Sequence, residues 1–252
     1  MKMMKVKKVF LIVVLILFII SLVCIATTEA SSFKARREIK EFIKRGALIY
    51  TSEDTRYYKV IKEREYEDTN NIISDYSNNY IGTTGDIYLT CTDWGASVIT
   101  TYLCRRLYVG HAGLVSRTDA SKLYEVVGNR KASDNVVKEY DNDWYELKHF
   151  KEEIILRVKE MDDSKKDKLI SYVDGIKGAN YNPFFLAHIK DKYYCTDLIT
   201  RAYSDSLDID ISKGGITTGA KMIENTNTYI IYYKREVNDG NIKYEVYFLG
   251  DE

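Results

Sequence analysis

The chain has 252 residues, of which 45% are hydrophobic and 29% are charged. This composition is too apolar for a disordered protein, and the single proline excludes collagen-like and mucin-like classes. Lysine plus arginine and aspartate plus glutamate both number 37, so the formal net charge is zero and no nucleic-acid partner is predicted.

Four lysines lie within residues 2–8, and an uncharged apolar run follows over residues 9–26. About 18 residues at about 1.5 Å each nearly cross a hydrocarbon layer of about 30 Å. Residues 1–30 are therefore predicted to be either a signal peptide, cleaved near Ala30, or an N-terminal membrane anchor. Basic residues flank the run on both sides, so charge does not decide the orientation. The signal-like order predicts that the body lies outside the cytoplasm, either attached to the cell membrane through residues 9–26 or secreted.

Residues 31–80 are predicted to form a basic helix and a polar linker. The helix covers residues 34–46, with Phe33, Ile39, Phe42 and Ile43 near one face and Gly46 at its end. Such a helix either lies on anionic lipid or packs as a charged spacer, and both alternatives stay open. Residues 51–79 are polar and are expected to form loops with short strands.

Residues 81–252 are predicted to form one domain. Its pattern is a series of short strands with a few helices and without βαβ alternation, which favours an α+β fold around an antiparallel sheet. A polar turn at residues 117–122 joins two strands into a hairpin. The predicted strands are residues 85–90, 108–116, 123–127, 135–140, 153–158, 229–233 and 243–249, and the predicted helices are residues 94–107, 162–176, 193–203 and 221–224.

The body contains Cys91, Cys104 and Cys195. In an oxidising compartment a bridge between Cys91 and Cys104 would leave Cys195 free, whereas the alternative is three reduced and partly buried thiols. The motifs of P-loop nucleotide binding, Gly-x-Ser-x-Gly hydrolases, His-Glu-x-x-His metalloproteases and Cys-x-x-Cys pairs do not occur in the body. The three histidines have no close ligand spacing, so neither a metal nor an organic cofactor is predicted.

Cys195 is predicted to begin an apolar helix. The positive end of a helix dipole favours a thiolate at this position, and the backbone N–H of Cys195 is aimed where an oxyanion would develop. The alternative is an inert cysteine on a buried helix face.

His111 lies between small residues in the first strand of the predicted hairpin, and Glu125 is an isolated charge in the second strand. A carboxylate beside a histidine fixes its tautomer and stabilises the imidazolium, which is the third role in a Cys-His-acid arrangement. Asn129 is a competing polar partner, and we prefer Glu125 because it lies in the body of its strand. The alternative is a structural histidine and a solvent-facing glutamate.

The order of these motifs resembles a known family. Residues 85–87 open a strand, residues 110–115 read Gly-His-Ala-Gly-Leu-Val, Glu125 follows in a strand, and residues 194–199 read Tyr-Cys-Thr-Asp-Leu-Ile. The series is similar to the YaeF/YiiX (YiiX/YebB-like) group of permuted papain-like amidases in the NlpC superfamily of cysteine hydrolases. The resemblance covers residues 82–206. It implies a permuted papain-like (NlpC-type) fold with an antiparallel sheet or barrel, in which histidine precedes cysteine and the nucleophile begins a packed helix.

The resemblance also implies an activity. Cys195 would attack an amide or ester carbonyl, His111 would take and return the proton, and Glu125 would orient His111. Tyr194 would add a hydroxyl to the oxyanion site, or alternatively pack as an ordinary tyrosine. The leading hypothesis is an extracytoplasmic cysteine peptidase or amidase acting on a cell-wall peptide or another small peptide. The alternatives are a lipid-directed thiol acyltransferase or esterase, and a non-catalytic surface binding domain in which Cys195 does not contact His111.

Overall fold

The computed structural model describes residues 14–15, 26–27, 29–72, 80–91, 98–128, 135–144, 146, 150–184 and 188–251. Its helices are α1 (residues 29–44), α2 (Val98–Leu107), α3 (Asp163–Gly175), α4 (Cys195–Leu207) and α5 (Gly219–Ile223). Its strands are β1 (Gly46–Thr51), β2 (Thr55–Ile61), β3 (Ile87–Thr90), β4 (His111–Val115), β5 (Lys122–Val126), β6 (Val137–Asp141), β7 (Glu152–Val158), β8 (Asn180–Tyr181), β9 (Lys192–Tyr193), β10 (Thr228–Asp239) and β11 (Ile242–Gly250).

Nine of these strands form one sheet in the order β1-β2-β11-β10-β7-β3-β4-β5-β6. All neighbours run antiparallel except β2 and β11, which are parallel. The short strands β8 and β9 form a separate parallel pair. The prediction of an α+β fold around a mainly antiparallel sheet is therefore confirmed.

The central strands are apolar because both faces of the sheet are covered. All five residues of β4 are buried, and so are six of the seven residues of β7. A strand covered on both sides reads as a continuous apolar run and does not alternate. Helix α4 packs over β4 and β5 and contacts α3. The start of α4 therefore lies above the strand that carries His111.

A buried ion pair braces the entry into β3. Arg157 donates to both carboxylate oxygens of Asp86, at 2.9 and 2.7 Å, and the backbone N–H of Thr83 donates to the same carboxylate at 2.8 Å. Tyr203 of α4 also donates its hydroxyl hydrogen bond to the carbonyl of Gly85. The ion pair therefore braces the turn that leads into β3, and the Tyr203 hydrogen bond ties α4 to the same turn.

The region before residue 81 differs in part from the sequence prediction: β2 is a short strand of the kind expected within residues 51–79, but its place in the sheet was not predicted. Residues 46–61 form the hairpin β1-β2, and β2 pairs with β11, so part of the predicted linker belongs to the main sheet. Gly46 begins β1 and does not end the helix. Ile39 and Phe42 of α1 are buried as predicted, whereas Phe33 is 71% exposed. Parallel pairing with a strand almost two hundred residues away leaves no local signal in the sequence.

The predicted membrane segment, residues 9–26, lies outside the described residues except for residues 14, 15 and 26. Within the described part of the chain, no helix combines the length and hydropathy that a bilayer span requires.

Candidate active site

Cys195 is the first residue of α4, as predicted, and it is partly exposed. Tyr194 occupies the N-cap position and makes no side-chain capping bond. Helix α3 differs, because the Asp162 carboxylate caps it by accepting from the Lys165 N–H at 2.8 Å. The first backbone N–H groups of a helix have no partner within the helix, so those beside Cys195 point outward and carry the positive end of the dipole.

A hydrogen-bonded group of buried hydroxyls fixes the start of α4. Thr217 donates its hydroxyl to the Tyr194 hydroxyl at 2.8 Å, and Thr196 donates to the Thr217 carbonyl at 3.1 Å. Tyr194 is 6% exposed. The Tyr194 side chain is thus directed at Thr217, on the segment before α5, and its proposed role at the oxyanion stays a prediction.

Asp197, in the first turn of α4, lies close to a guanidinium group and an imidazole ring. It is buried, with Arg201 at 3.5 Å and the imidazole of His188 at 3.6 Å. Burial raises the pKa of the Asp197 carboxyl, against the opposing effect of Arg201 and His188. These neighbours reduce the electrostatic penalty that a carboxylate would impose on a thiolate in the same turn.

His111 and Glu125 lie side by side on β4 and β5. Nε2 of His111 is 3.3 Å from Oε2 of Glu125, and both side chains are buried. The approach is that of an ion pair, since Nε2 has no aligned hydrogen-bond partner among the described residues. The register of β4 and β5 places Gly113 beside Glu125, where an added Cβ would lie 3.1 Å from Oε1. The absence of a side chain at Gly113 therefore gives the carboxylate room to reach His111.

Trp144 completes this arrangement. Its indole N–H donates to Oε1 of Glu125 at 2.8 Å, and its ring stacks on His111 with centroids 5.7 Å apart. Asn142 holds the loop that carries Trp144, because it accepts from the Trp144 N–H at 3.1 Å and donates to the Ala120 carbonyl at 2.8 Å. The carboxylate of Glu125 is thus held between His111 and Trp144.

The electrostatics favour a charged imidazole. Burial lowers the pKa of His111, but the charge of Glu125 and an interaction with the Cys195 side chain outweigh it and raise that pKa to about 10. His111 therefore keeps its proton at neutral pH. The same interaction means that the structure brings together Cys195, His111 and Glu125, three residues far apart in sequence.

Two neighbours of the site were not singled out in the sequence. One is Trp144, and the other is Tyr181 of β8, which packs so closely on Gly128 that an added Cβ there would lie 2.5 Å from the ring. Burial, followed by the charge of Cys195, raises the pKa of the Tyr181 hydroxyl. Pairing of β8 with β9 brings Tyr181 beside the segment that leads into Cys195. The available signal in the sequence was the series of aromatic residues around Tyr181.

The cysteines, Asn129 and the metal-ligating residue types complete the comparison with the sequence. Cys91, Cys104 and Cys195 are free thiols, so the alternative of a bridge between Cys91 and Cys104 is not realised. Asn129, the competing partner of His111, lies outside the described residues. Among the residues that are described, no group of three or more His, Cys, Asp or Glu side chains has the proximity needed to hold a metal ion.

Comparisons with known proteins give structural matches but no sequence match. No family model and no curated protein sequence matches the chain. Among solved structures, the chain is similar to the crystal structure of metalloprotein yiiX from Escherichia coli O157:H7, with 15% sequence identity and a TM-score of 0.46. The match covers 60% of this chain and 96% of that chain. The likeness is too low to carry an argument about function.

Proposed function

We propose that the chain is an extracytoplasmic cysteine hydrolase that cleaves an amide, with Cys195 as nucleophile, His111 as proton carrier and Glu125 as the group that orients His111. The observation that carries the proposal is the buried His111 with a pKa of about 10, next to both Glu125 and Cys195. Perturbed titratable groups that combine burial with specific partners are typical of catalytic sites. A non-catalytic domain with an inert Cys195 would not require this contact.

The resting site in this proposal is a thiolate and imidazolium pair. The Cys195 sulfur attacks the carbonyl carbon of the amide, forming a C–S bond and a tetrahedral oxyanion. When the C–N bond breaks, His111 transfers its proton to the departing amine, which leaves an acyl-enzyme and a neutral imidazole. Water then attacks the thioester, His111 takes its proton, and the acid product leaves as the thiolate is restored.

One feature of the site supports the oxyanion part of this mechanism, and a second supports the role of His111. The N–H groups at the start of α4 receive no side-chain cap from Tyr194. Preorganised backbone donors of this kind stabilise charge that develops in the transition state. Glu125 does not take the proton in this scheme. Its carboxylate, fixed by Trp144, stabilises the imidazolium and orients the ring.

The finer fold assignment belongs to the same proposal. Histidine on β4 precedes cysteine at the start of α4, which is the permuted order that the motif resemblance implies. A cell-wall peptide is proposed as substrate on that resemblance and on the apolar N-terminal run. Lipid-directed acyl transfer remains the second candidate, and it differs in the acyl donor, which is a lipid ester, and in the nucleophile that resolves the acyl-enzyme.

The first test is the rate of Cys195 alkylation by iodoacetamide as a function of pH, in the full chain, with each cysteine peptide resolved by mass spectrometry. Wild type is expected to react at Cys195 well below pH 7. In His111→Ala the rate at pH 6 should fall by at least about tenfold, because the imidazolium no longer stabilises the thiolate. His188→Ala is the comparison variant: His188 is exposed and reaches the thiol only through Asp197, so the loss of rate there should be much smaller than in His111→Ala.

An alkylation profile with an ordinary thiol pKa of about 8.5, unchanged in His111→Ala, would exclude the activated pair. Activity is then tested on soluble cell-wall peptides by following the release of new amino groups. Cleavage by wild type that disappears in Cys195→Ala supports the hydrolase. An activated thiol without cleavage, but with transfer of acyl groups from a phospholipid to an added amine, would favour the acyltransferase.

A further inference from the structure

A second concave site lies on the face of the sheet opposite to His111. Glu153 of β7 pairs with Thr90, which in turn pairs with His111, so these three side chains share one face. The neighbouring residue Glu152 points to the other face, where it lines a cavity of about 720 Å³ between α1, α2 and the strands β7 and β10. This volume is in the range of small-molecule sites.

The wall of this cavity is rich in positive charge. Five cations line it against two carboxylates, which are Glu152 and Glu236. Glu152 accepts hydrogen bonds from the hydroxyls of Tyr108 and Tyr233 at 2.7 and 3.1 Å, so its oxygens are directed at neutral donors. The lining cations are Arg36, Lys40, Arg105, Lys151 and Arg235.

Two of the five cations have carboxylate partners. Lys151 lies 3.8 Å from Glu236, and Arg235 lies 2.6 Å from Glu245. These pairs neutralise part of the wall and leave Arg36, Lys40 and Arg105, which are all exposed to solvent, as the cations available to a ligand.

Arg36, Lys40 and Arg105 form no ion pair with any other described residue. Arg36 and Lys40 lie one turn apart on α1, where like charges repel each other. Arg105 faces them from α2. An anion between the two helices would reduce this repulsion and would be contacted by cations from two directions.

The rest of the lining is apolar. Ile39 and Ile43 of α1 lie on one side, and the rings of Tyr108 and Tyr233 lie on the other. A ligand with an anionic head and an apolar portion matches this division. Guanidinium groups favour oxyanions with several oxygens, above all phosphate.

We propose that this cavity binds a phosphate monoester anion, held by Arg36, Lys40 and Arg105, with the apolar wall receiving the group attached to the phosphate. Arg36 and Lys40 follow soon after the apolar run of residues 9–26 in the sequence. A phospholipid head group and a free phosphate compound share this chemistry, and the experiment separates them.

The test is isothermal titration of the full chain in dodecyl maltoside with three probes: dihexanoyl phosphatidate, inorganic phosphate and, as a zwitterionic comparison, dihexanoyl phosphatidylcholine. The triple variant Arg36→Gln, Lys40→Gln, Arg105→Gln should weaken phosphatidate binding by at least about tenfold. The matched control is Arg37→Gln, Lys44→Gln, Lys168→Gln, which removes three exposed cations from α1 and α3 outside the cavity. Thermal unfolding of both variants checks that they fold.

Tighter binding of phosphatidate than of phosphate, lost in the triple variant only, supports the site with a lipid head group as its ligand. Equal binding of phosphatidate and inorganic phosphate, lost in the triple variant only, supports the site with a soluble phosphate compound as its ligand. The proposal is overturned if neither phosphate probe binds, if phosphatidylcholine binds as well as phosphatidate, or if the control variant weakens binding as much as the triple variant. If the triple variant does not fold, the single variant Arg105→Gln decides, with an expected loss of about threefold.

Discussion

Two cysteines of this protein stand next to carboxylate networks, and the networks give them opposite electrostatic surroundings. Cys91 is 6% exposed, and its thiol donates to Oε2 of Glu152 at 3.0 Å. Burial, and then the negative charge of Glu152, raises the pKa of the Cys91 thiol. Cys195 stands at the start of α4 beside His111, which carries a positive charge at neutral pH. In this second network the carboxylate of Glu125 acts on the histidine.

The comparison shows that the group between a carboxylate and a thiol decides which charge the thiol meets. Glu152 meets the sulfur of Cys91 directly and favours the neutral thiol. Glu125 meets an imidazole, raises its pKa, and so presents a cation to Cys195. The position at a helix start adds to this difference, because the dipole there also favours the thiolate.

The largest expected effect is the difference in alkylation between the two cysteines. At pH 7 we expect iodoacetamide to modify Cys195 at least about a thousand times faster than Cys91, because the raised pKa leaves almost no thiolate at Cys91. Mass spectrometry of the two peptides measures both rates in one sample. Glu152→Gln should speed the Cys91 reaction while leaving Cys195 unchanged. Comparable rates at Cys91 and Cys195 in the wild type would contradict the comparison.

The next effect is the pH dependence of stability. The pKa of His111 is about 10 in the folded state and about 6.5 in an unfolded chain. The imidazolium therefore stabilises the fold fully below pH 6.5, and this contribution is lost as the pH rises towards 10. The comparison is made in a Cys195→Ser background, which removes the opposite titration of the thiol and keeps the charge of Glu125. Between pH 6 and pH 10 the free energy of unfolding should fall by about 1 to 3 kcal/mol more with His111 present than in the variant that also carries His111→Gln. Urea unfolding at both pH values measures it, and parallel losses in the two proteins would argue against a raised pKa.

A smaller effect is expected at Trp144. Trp144→Phe keeps an aromatic ring beside His111 but removes the N–H that donates to Glu125. Loss of a hydrogen bond to a buried carboxylate should lower the free energy of unfolding by about 1 to 3 kcal/mol and shift the pH profile of Cys195 alkylation. Phe150→Leu is the matched control, because Phe150 packs on Trp144 at 4.3 Å between ring centroids. That control should lower stability without moving the profile. An unchanged pH profile of Cys195 alkylation in Trp144→Phe would show that Trp144 contributes packing only.

The smallest effect is expected at Gly113. In Gly113→Ala the new Cβ would lie 3.1 Å from Oε1 of Glu125 and 3.3 Å from Cδ1 of Leu123, so one of them must move. We expect the free energy of unfolding to fall by about 1 kcal/mol and the alkylation of Cys195 to slow by about twofold to threefold. Gly175→Ala is the control, since a Cβ there meets nothing within 4 Å and alanine favours a helix. Equal stability and equal alkylation rates in Gly113→Ala and Gly175→Ala would show that a Cβ at residue 113 does not displace the Glu125 carboxylate.

Much of the site was readable in the sequence because its signals are local. The first turn of α4 follows from the apolar spacing after Cys195, and the β4-β5 hairpin follows from two apolar strands around a polar turn. An isolated Glu125 in an apolar strand was a usable signal because a charge is rarely buried without a partner. Gly113, two residues after His111, was noted only as a small residue.

Other parts of the molecule have no local signature. Trp144 reaches Glu125 from a loop held by Asn142, and nothing in the spacing of these residues predicts that contact. The wrong prediction that Gly46 ends α1 has the same origin, because pairing of β2 with β11 draws residues 46–61 into the sheet. Phe33 was expected on the packed face of α1 and is exposed, since the neighbouring elements decide which part of an amphipathic stripe is covered.

The sequence by itself determined the α+β class, most strands and helices, the position of Cys195 at a helix start, and a histidine and a carboxylate on adjacent strands. These properties depend on periodicity, capping and turns, which act over a few residues. Only the tertiary structure decided the charge of His111, the partners of Glu125, the opposite surroundings of Cys91 and Cys195, and the basic cavity behind the sheet. Those properties depend on burial and on charges brought together from distant segments, and the free energy of a charge is set by its neighbours in space.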